Sequence, residues 1–583
     1  MSTTLQGVER KFGLSMPPHT PHAITTHMPK WSNWVGVRDG DKTNLALMKH
    51  MYPRFAPWGH CRELTMKLCK FLNLPGDHFA FPFLTPEIFC FAQTYAYSEH
   101  RKEHRLTPGQ LGYRVLDVGE GSERVRLYLL TFPQAKSDGV GLIWQNPGTG
   151  VSTRLAEHLL PAVEAGKVAE VPFKVEDDTK HIDIFSIPPP TGLPEGEAHA
   201  KLRERIVGLW KRAAVTPEKA DLVTEKDVFL YPTGMASIYK MHLSLMHWRP
   251  GKVVAMGSIF HNTYHLQEEA PQGFKHFGRM DGDGKGIDEL ETFLEAEATE
   301  DRKVTYVFTE FSSNPIMVSV DLHRLKSLAD KFDFVLVVDD TIGSFCNVDL
   351  SGVADIVMTS TTKSFSGYAD VMGGSLVFNP ASPRYASFKP VMDKLFLNEY
   401  FAADAERMLA NSADYLPRST VLNRNALSLA SWLDGLRTAE PGYGISKVFY
   451  PTCLDTLRNY QVFMRKPTDE FTPGYGCIFS VEFAEKADAQ VFYDNLDVFM
   501  GPHLGAHHTL ALCFNELTLG KDPKGIAYHA SYGARSEQVR VAVGLEPEEE
   551  LKQIFRVALE KVKEAKEGGY KTLGVASEGV AVA

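Results

Sequence analysis

The chain has 583 residues, with 62 basic and 72 acidic side chains and a formal net charge of −10. Hydrophobic residues make up 44% and charged residues 23%, which is typical of a soluble globular protein and excludes a largely disordered chain. Because the lysines and arginines are scattered over an acidic chain, we expect no nucleic-acid partner. At roughly 100–200 residues per domain, the length predicts about three or four domains.

The chain shows no sign of secretion or of a membrane anchor. Its seven cysteines include no CxxC pair, which argues against a disulfide framework or a structural zinc site and favours a reducing compartment. The N-terminal residues MSTTLQGVERKFG lack the apolar run of a secretory signal. No segment offers about 20 consecutive apolar residues, so we expect no membrane span. We therefore predict a cytoplasmic protein.

The N-terminal third is predicted to contain an arm and an inserted region. Residues 1–60 carry paired prolines and several histidines without a helical period, and we interpret them as an irregular arm that lies on another part of the protein. Residues 62–72 have the apolar spacing of an amphipathic helix. The segments YRVLDV, RVRLYLLTF and GLIWQ are predicted strands, followed by a turn and a helix. Residues 61–200 are thus predicted to be an inserted α/β region of unknown role, with a Pro-rich linker at 187–196.

After the linker, helices alternate with apolar strands. The predicted strands are DVFLYP, KVVAM, VTYVF, FVLVV and ADIVMTS. This alternation is typical of a parallel sheet covered by helices on both faces. It predicts a large α/β domain over residues 201–385, with ligands bound beyond the carboxyl ends of its strands.

From about residue 385 the pattern changes again. Helices are followed by the predicted strands GCIFSVEF, HTLALCF and QVRVAVGL and by one more helix, PEEELKQIFRVALEKVKEA. We expect a smaller α+β domain over residues 386–565 and a flexible tail at 566–583.

Polar or glycine-rich groups follow four of the apolar strands, and the last of these groups, TSTTKSFS, contains Lys363. A lysine at the end of a buried strand is a costly structural choice, because desolvation disfavours its charge. Desolvation also lowers its pKa, which suits an amine that forms a Schiff base. Taken alone, Lys363 would more often be a surface lysine in a Ser/Thr loop.

Other strand ends supply the partners that such a lysine needs. A carboxylate at Asp339 can keep a pyridine nitrogen protonated. Gly234 and Met235 open a helix, and the exposed N–H groups of a helix start bind phosphate. Ser360 and Thr362 can add hydroxyl donors to the same phosphate. In this order on one sheet, these residues describe a site for pyridoxal 5'-phosphate.

Longer motifs carry a resemblance to a known family. In order, YPTGMASIY, FTEFSSNP, VVDDT, TSTTKSFSGYADVMGG and QVRVAVGLEPEEEL resemble the motifs of the Cys/Met-metabolism pyridoxal-phosphate enzymes, over roughly residues 200–565. The N-terminal motifs FGLSMPPHTPHAITTHMPKW and MYPRF resemble the long fungal form of cystathionine γ-synthase. The resemblance implies the α/β fold type I of pyridoxal-phosphate transferases: a large domain with a mostly parallel seven-stranded sheet, a smaller C-terminal α+β domain and an N-terminal α/β extension.

The resemblance also implies roles for single residues. Lys363 becomes the Schiff-base lysine, Asp339 the partner of the pyridine nitrogen and Asn314 a neighbour of the ring hydroxyl. Arg540 corresponds to the arginine that clamps the substrate α-carboxylate, a task that suits its planar fork of donors. The implied phosphate contacts are Gly234, Met235, Ser360 and Thr362.

The YPRF segment carries a further implication. Tyr52 and Arg54 match the Tyr-x-Arg pair that reaches the cofactor phosphate of a neighbouring subunit in the family. The resemblance therefore implies shared active sites in a homodimer or homotetramer.

Two positions depart from the family pattern. The ring-stacking tyrosine is replaced by Phe260, which keeps the stacking surface and loses the phenol; Tyr264, close in sequence, is a candidate substitute. The Ser-Leu-Gly segment near the substrate carboxylate begins here with His503, which is bulkier and titrates near neutral pH.

Three other features are expected to be structural. His261 and His265 have metal-compatible spacing, but no third ligand is evident and we expect a turn there, so we predict no metal. The sequence GTG at 148–150 lacks the ending of a P-loop and is interpreted as a structural turn. The aromatic-rich stretch FAFPFLTPEIFCF is expected to be core.

The resemblance implies an enzyme of γ-replacement that joins an O-acylhomoserine to L-cysteine, giving cystathionine in transsulfuration and methionine biosynthesis. A related enzyme of fungal specialised metabolism with another nucleophile is the first alternative, favoured by Phe260 and His503. A lyase acting on cystathionine or methionine is the second. A catalytically silent regulatory homologue is the third, and the presence of Lys363 and Asp339 counts against it.

Overall fold

The computed structural model describes residues 4–570. Its N-terminal arm packs on the C-terminal part of the chain: Trp31 and Trp34 share a core with Phe499, and the Trp34 indole donates to Tyr493 Oη over 2.7 Å. The arm contains two helices, α1 (Trp31–Arg38) and α2 (Lys42–Leu47). The expectation of a wholly irregular arm is therefore wrong, since a short helix that buries only its two tryptophans shows no apolar period.

Residues 60–171, called the insert below, form a four-stranded antiparallel sheet of order β1-β3-β2-β4 with helices packed on it. Its apolar side chains are buried in two clusters of their own. The aromatic-rich stretch supplies a strand and a helix of this core, as expected. The elements are α3 (His60–Phe71), β1 (His78–Phe83), α4 (Glu87–Tyr97), β2 (Gly112–Val118), β3 (Val125–Pro133), α5 (Ser137–Gln145), α6 (Thr153–Glu164) and β4 (Val168–Val171).

The segment GLIWQ is helical, as part of α5, and the prediction of a strand there is wrong. The buried residues of α5 are Gly139, Val140, Ile143 and Trp144, which follow the spacing of one helix face. Within five residues a run of apolar side chains fits either structure, and the helix becomes visible only when the preceding residues are included.

The central sheet has seven strands in the order β5-β11-β10-β9-β8-β6-β7, and all neighbours are parallel except at β11, which is antiparallel to both of its neighbours. The predicted mostly parallel seven-stranded sheet is thus confirmed. The strands are β5 (Val228–Tyr231), β6 (Lys252–Met256), β7 (Phe274–Phe277), β8 (Val304–Glu310), β9 (Val335–Asp339), β10 (Ile356–Thr359) and β11 (Gly374–Phe378).

Helices cover both faces of this sheet. They are α7 (Glu197–Lys211), α8 (Pro217–Ala220), α9 (Gly234–Trp248), α10 (His261–Gln267), α11 (Lys285–Thr299), α12 (Leu322–Phe332), α13 (Ser344–Asn347) and α14 (Tyr385–Leu395). Strands β7 and β11 escaped the sequence analysis. The first is a half-exposed edge strand and the second begins with Gly374 and Ser375, so neither is a continuous apolar run.

A five-stranded sheet of order β12-β13-β16-β15-β14 forms the C-terminal part. Its predicted strands are present, joined by two further strands, β12 and β14. The elements are α15 (Ala402–Asn411), α16 (Tyr415–Ala439), β12 (Ile445–Phe449), α17 (Leu457–Gln461), β13 (Ile478–Phe483), α18 (Lys486–Asn495), β14 (Phe499–Met500), β15 (Leu510–Leu512), α19 (Phe514–Thr518), α20 (Pro523–Ser531), β16 (Gln538–Ala542) and α21 (Glu548–Glu567). Most of the predicted tail, residues 571–583, lies outside the described residues.

The insert is docked on the start of helix α9. The hydroxyl of Thr233, which caps this helix, donates to Gly148 O over 2.9 Å. Further along, Arg154 pairs with Asp404 at 3.1 Å. None of the helices within residues 4–570 combines the length and the apolar character that a membrane crossing requires.

We predict that Gly148→Ala lowers the free energy of unfolding more than Gly166→Ala. Both glycines have positive φ, 62° and 72°, and a side chain in that conformation costs about 1–2 kcal/mol. A Cβ at Gly148 would also lie 2.8 Å from Met235 Cβ and 3.1 Å from Ala236 N, whereas none of the described atoms lies within 4 Å at Gly166. The contacts add about 1–3 kcal/mol. Urea denaturation of both variants measures the difference, and equal losses would contradict tight docking.

Candidate active site

The carboxyl ends of β5, β8, β9 and β10 open into one cleft at an edge of the central sheet. The cleft is closed on one side by the end of the arm and on the other by β16 and the loop before β15. Eleven of the twelve predicted site residues line it: Tyr52, Arg54, Gly234, Met235, Phe260, Asn314, Asp339, Ser360, Thr362, Lys363 and Arg540. The twelfth, His503, is buried between two residues that do line it, Pro502 and Leu504.

Helix α9 presents its N-terminus to the cleft. Thr233 caps the helix by accepting a hydrogen bond from Ala236 N over 2.9 Å. Gly234 leaves room there, because a Cβ at this position would lie 2.7 Å from Ser360 Cβ. The backbone N–H groups of the first turn and the helix dipole favour an anion at this place.

Three cations reach the cleft, and their charges are not neutralised by acidic side chains. Arg54 and Arg540 are 6% and 3% exposed, and Lys363 is half-buried. Within residues 4–570, the side chains of these three residues donate hydrogen bonds to carbonyls, amide side chains and one phenol rather than to carboxylates. Since buried charge is costly without a partner, these residues indicate an anionic ligand.

Two buried carboxylates also line the cleft. Asp339 accepts a hydrogen bond from Thr341 N over 2.9 Å, and Glu310 accepts from Phe260 N and Asn314 N. Burial raises the pKa of Asp339 to about 6 and the pKa of Glu310 well above its ordinary value. Neither makes an ion pair with a cationic side chain of the described chain. These carboxylates therefore favour a cationic group of a ligand beside them.

The amine of Lys363 lies 3.4 Å from the phenol oxygen of Tyr52. Burial lowers the pKa of Lys363, and the nearby Arg54 and Arg540 act in the same direction. Burial opposes ionisation of Tyr52, but Lys363 and Arg54 outweigh it and bring the phenol pKa down to about 8. The pair can therefore exchange a proton near neutral pH.

Phe260 lies at the start of α10, with the Arg54 guanidinium 5.2 Å from the centre of its ring. Tyr264 does not replace the missing phenol: its ring packs against Phe274 and His276, and it is absent from the lining of the cleft. The phenol of Tyr52 is the one that contacts Lys363.

Arg540 extends from β16 and is held on two sides. Its guanidinium donates to Asn314 Oδ1 over 3.3 Å and to His503 O over 3.3 Å, and it stacks 4.8 Å from the centre of the Phe514 ring. Burial lowers its pKa to about 10. His503 thus reaches Arg540 through its backbone carbonyl, while burial and the neighbouring Lys363 lower the pKa of its imidazole well below the ordinary value.

Some predicted contacts look different in the structure. The hydroxyl of Thr362 donates to Gly373 O over 3.0 Å, so its proton is already engaged. His261 and His265 lie on a helix, α10, and the expectation of a turn is wrong. Neither histidine belongs to the cluster of potential metal-ligating groups found among the described residues, which consists of His100, Glu268 and Glu269.

Sequence reasoning did not single out three residues that contact the predicted site. Glu310 lies within the motif FTEFSSNP, but nothing in that motif indicates that its carboxylate is buried near Asp339. Thr341 supports Asp339 through its backbone and accepts from Ser360 N over 2.9 Å, which a sequence pattern does not reveal. Phe514 reaches Arg540 from a helix that the sequence analysis did not identify.

Comparison with known proteins identifies the family. Residues 211–560 match the sequence profile of the Cys/Met metabolism PLP-dependent enzymes. The chain belongs to this family. It is 32% identical over 615 residues to a cystathionine gamma-synthase-like enzyme of Amanita muscaria, covering 95% of this chain and 97% of that protein. It is also 32% identical to an alanine racemase of Aspergillus violaceofuscus, with 94% and 96% covered, and 26% identical to the cystathionine gamma-synthase of Neurospora crassa, with 95% and 99% covered.

The fold agrees with this assignment. The crystal structure of cystathionine gamma synthase from Xanthomonas oryzae pv. oryzae aligns with a TM-score of 0.51 at 21% identity, covering 63% of this chain and 87% of that one. The protein therefore has the fold type I architecture and is a pyridoxal-phosphate enzyme. The resemblance predicted from the sequence is thus confirmed, both for the family motifs and for the long N-terminal part.

The residues of the cleft fit this cofactor. A phosphate suits the start of α9 and the guanidinium of Arg54, and a protonated ring nitrogen supplies the positive charge that Asp339 and Glu310 lack. Lys363 lines the same cleft, next to Tyr52. The cleft thus offers donors and a cation for the phosphate and carboxylates for the ring nitrogen of pyridoxal phosphate.

We predict that cofactor affinity falls below about pH 6 and that Asp339→Asn removes this dependence. An ionised Asp339 is needed beside a cationic ring, so below its pKa of about 6 binding must release a proton. The affinity of the wild type then falls by up to about tenfold per pH unit. Titration of the apo-protein with pyridoxal phosphate at several pH values from about 5 to about 8 measures how cofactor affinity depends on pH in the wild type and in Asp339→Asn. Equal slopes would contradict the pairing, since ionisation of the cofactor itself affects both proteins alike.

Proposed function

We propose that this enzyme catalyses γ-replacement on an O-acylated homoserine, with L-cysteine as nucleophile and cystathionine as product. One observation carries the proposal: an anion-receptive helix start, a lysine with a lowered pKa and a buried arginine face one cleft. The relatives named cystathionine gamma-synthase and cystathionine gamma-synthase-like enzyme support the reaction type.

Each end of the cleft has a proposed task. The start of α9 with Gly234 and Met235, together with Ser360 and Arg54, binds the cofactor phosphate, and Asp339 holds the ring nitrogen. Bound pyridoxal phosphate supplies an electron sink beside the substrate Cα. Phe260 packs on the ring, and Asn314 lies next to the place of the ring hydroxyl.

Arg540 binds the α-carboxylate of the amino-acid substrate. Its position is fixed by Asn314 and by the carbonyl of His503, so its fork of donors is oriented before the substrate arrives. Because the guanidinium is buried and its charge is not neutralised by an acid, a carboxylate gains a strong interaction there.

Lys363 moves protons. γ-Replacement requires proton removal at Cα and then at Cβ before the γ-acyloxy group leaves, and after the nucleophile has attacked Cγ a proton must return to Cβ and another to Cα. A single amine within reach of both carbons can act as base and then as acid. The phenol oxygen of Tyr52 lies 3.4 Å from this amine. Because its pKa is about 8, Tyr52 can accept a proton from the amine or donate one to it.

A second candidate is γ-replacement with a nucleophile that carries no carboxylate. The cationic side chains that line the cleft in the described chain are Arg54, Lys363 and Arg540, and the proposed roles use all three. The wall beyond them is largely apolar and includes Phe55, Leu512, Phe514 and Leu517. A cysteine carboxylate would therefore find no cation of its own there.

Further proposals concern organisation. We propose the boundaries 1–60, 61–200, 201–385, 386–565 and 566–583 for arm, inserted region, large domain, small domain and tail. We also propose a cytoplasmic location and a homodimer or homotetramer. The three separate sheets support the division into inserted region, large domain and small domain.

We predict that the purified enzyme with cofactor consumes O-acetyl- or O-succinylhomoserine only when a nucleophile is present. Cysteine and cysteamine, which differ in a carboxylate, form a matched pair of nucleophiles, and mass spectrometry of the products measures turnover. Faster reaction with cysteine supports the first candidate, and faster reaction with cysteamine supports the second. Lys363→Ala should form neither product and should lose the visible absorbance of the bound cofactor.

Two results would overturn γ-replacement. One is full activity of Lys363→Ala. The other is absence of any replacement product while the α-proton of alanine exchanges with solvent deuterium, which would instead favour the activity named in the Aspergillus violaceofuscus relative.

A further inference from the structure

His261 is a polar side chain of the cleft wall that the proposed roles do not use. It is the first residue of α10, directly after Phe260, and it lines the cleft. Its ring is half-buried, and Nδ1 is buried without a hydrogen-bond partner within residues 4–570. A ligand can therefore reach the imidazole only along the edge that carries Nε2.

The residues on both sides hold the backbone of His261 in place. Phe260 N donates to Glu310 Oε1 over 2.5 Å, and Asn262 Nδ2 donates to Asn146 Oδ1 over 2.7 Å. The Phe260 ring packs against the imidazole, with 4.8 Å between the two ring centres. His261 thus has a fixed position beside the residue that is proposed to pack on the cofactor ring.

The imidazole of His261 is a neutral hydrogen-bond donor. Burial lowers its pKa well below the ordinary value, and the neighbouring His265 acts in the same direction. A neutral imidazole carries a single N–H group, and a buried N–H group without an acceptor is costly. The proton is therefore favoured on Nε2 rather than on Nδ1, and His261 presents an N–H group to the cleft.

The neighbouring wall, which comes from α19, offers a ligand no comparable donor. Phe514 and Leu517 line the cleft with apolar side chains. The hydroxyl of Thr518, which also lines the cleft, donates to Phe514 O over 2.9 Å, so its proton is engaged. On the part of the wall that α10 and α19 form in the described chain, the available donor is thus His261.

The distance from Arg540 suits an acyl group. Phe514 contacts both Arg540 and His261, with 4.8 Å from the guanidinium carbon to the Phe514 ring centre and 6.5 Å between the Phe514 and His261 ring centres. With bonds of about 1.5 Å, the acyl carbon of an extended O-acylhomoserine lies about 6 Å from its α-carboxylate carbon. A substrate held by Arg540 therefore has the length to bring its acyloxy group to the imidazole.

We propose that His261 is a catalytic residue that binds the leaving acyloxy group of the O-acylhomoserine through its Nε2–H group. When the Cγ–O bond breaks, the electron pair stays on the oxygen and the acyl group departs as a carboxylate anion. The proton stays on Nε2, and the hydrogen bond strengthens as negative charge develops on the oxygen. This inference rests on the γ-replacement proposed above and names the residue that assists departure of the acyl group.

Deuterium exchange separates this departure from the proton transfers that precede it. In D2O, the Cα and Cβ protons of O-acetylhomoserine exchange with solvent when proton removal is reversed before the acyloxy group leaves. Proton NMR of the remaining substrate measures exchange, and the amount of replacement product measures turnover. We expect the ratio of exchange to turnover to rise by about tenfold to a hundredfold in His261→Leu, because a donor to the developing anion is lost.

L-Vinylglycine provides a substrate that needs no departure, because its Cβ–Cγ double bond is already present. Its reaction with the same nucleophile should change by less than about twofold in His261→Leu. His261→Gln, whose amide nitrogen reaches the place of Nε2, should keep most of the wild-type ratio of exchange to turnover. His261→Asn, whose amide ends at the place of Nδ1, should behave like the leucine variant.

His265→Leu is the matched control. His265 lies one turn further along α10, pairs with Glu268 at 2.6 Å and is not part of the cleft lining. This variant should match the wild type with both substrates. Cofactor titration and thermal denaturation of every variant, which we expect to match the wild type, separate a loss of the donor from a folding defect.

Three results would overturn the role of His261. They are an unchanged ratio of exchange to turnover in His261→Leu, equal losses with O-acetylhomoserine and L-vinylglycine, and better rescue by asparagine than by glutamine. Failure of the proposed function looks different, because the wild type itself would then form no replacement product from O-acetyl- or O-succinylhomoserine, and the role of His261 would fail with it.

Discussion

The active-site cleft depends on buried charges that side chains of the described chain do not neutralise. Arg54, Lys363 and Arg540 bring positive charge to its lining, and Glu310 and Asp339 bring carboxylates. Protein side chains usually pair when they are buried, so leaving these groups without ion pairs costs stability. A ligand that carries both an anionic and a cationic group offsets both costs at once. The fold can be understood as the frame that holds these charges for the ligand.

Three units of the fold contribute to this frame. The parallel strands of the central sheet place Glu310, Asp339 and Lys363 along one edge, because their carboxyl ends all point the same way. The C-terminal sheet adds Arg540 from a fully buried strand. The arm and the insert add Tyr52 and Arg54. The cofactor end and the substrate end of the cleft are therefore built by different parts of the chain.

Much of this arrangement was predictable from sequence. Apolar strands followed by polar residues identified Lys363, Asp339 and Gly234, because ligands of such sheets bind beyond the carboxyl ends of the strands. Helix α5 was misread because a five-residue apolar run does not distinguish helix from strand. The contacts between Arg54 and the insert were not predictable either. They depend on hydrogen bonds to backbone carbonyls across about ninety residues, such as the one from Arg54 to Gln145, and such bonds leave no pattern in the sequence.

The insert holds Pro53 and Phe55 through their backbone carbonyl oxygens, which accept hydrogen bonds from the Trp144 indole and the Gln145 amide. The side chains of Pro53 and Phe55 take no part in these hydrogen bonds. Phe55 faces the apolar wall of the cleft and also a wider groove between the arm and the insert. A substitution at Phe55 can therefore change the shape of the apolar wall of the cleft while the backbone hydrogen bonds on either side of the neighbouring guanidinium of Arg54 are kept.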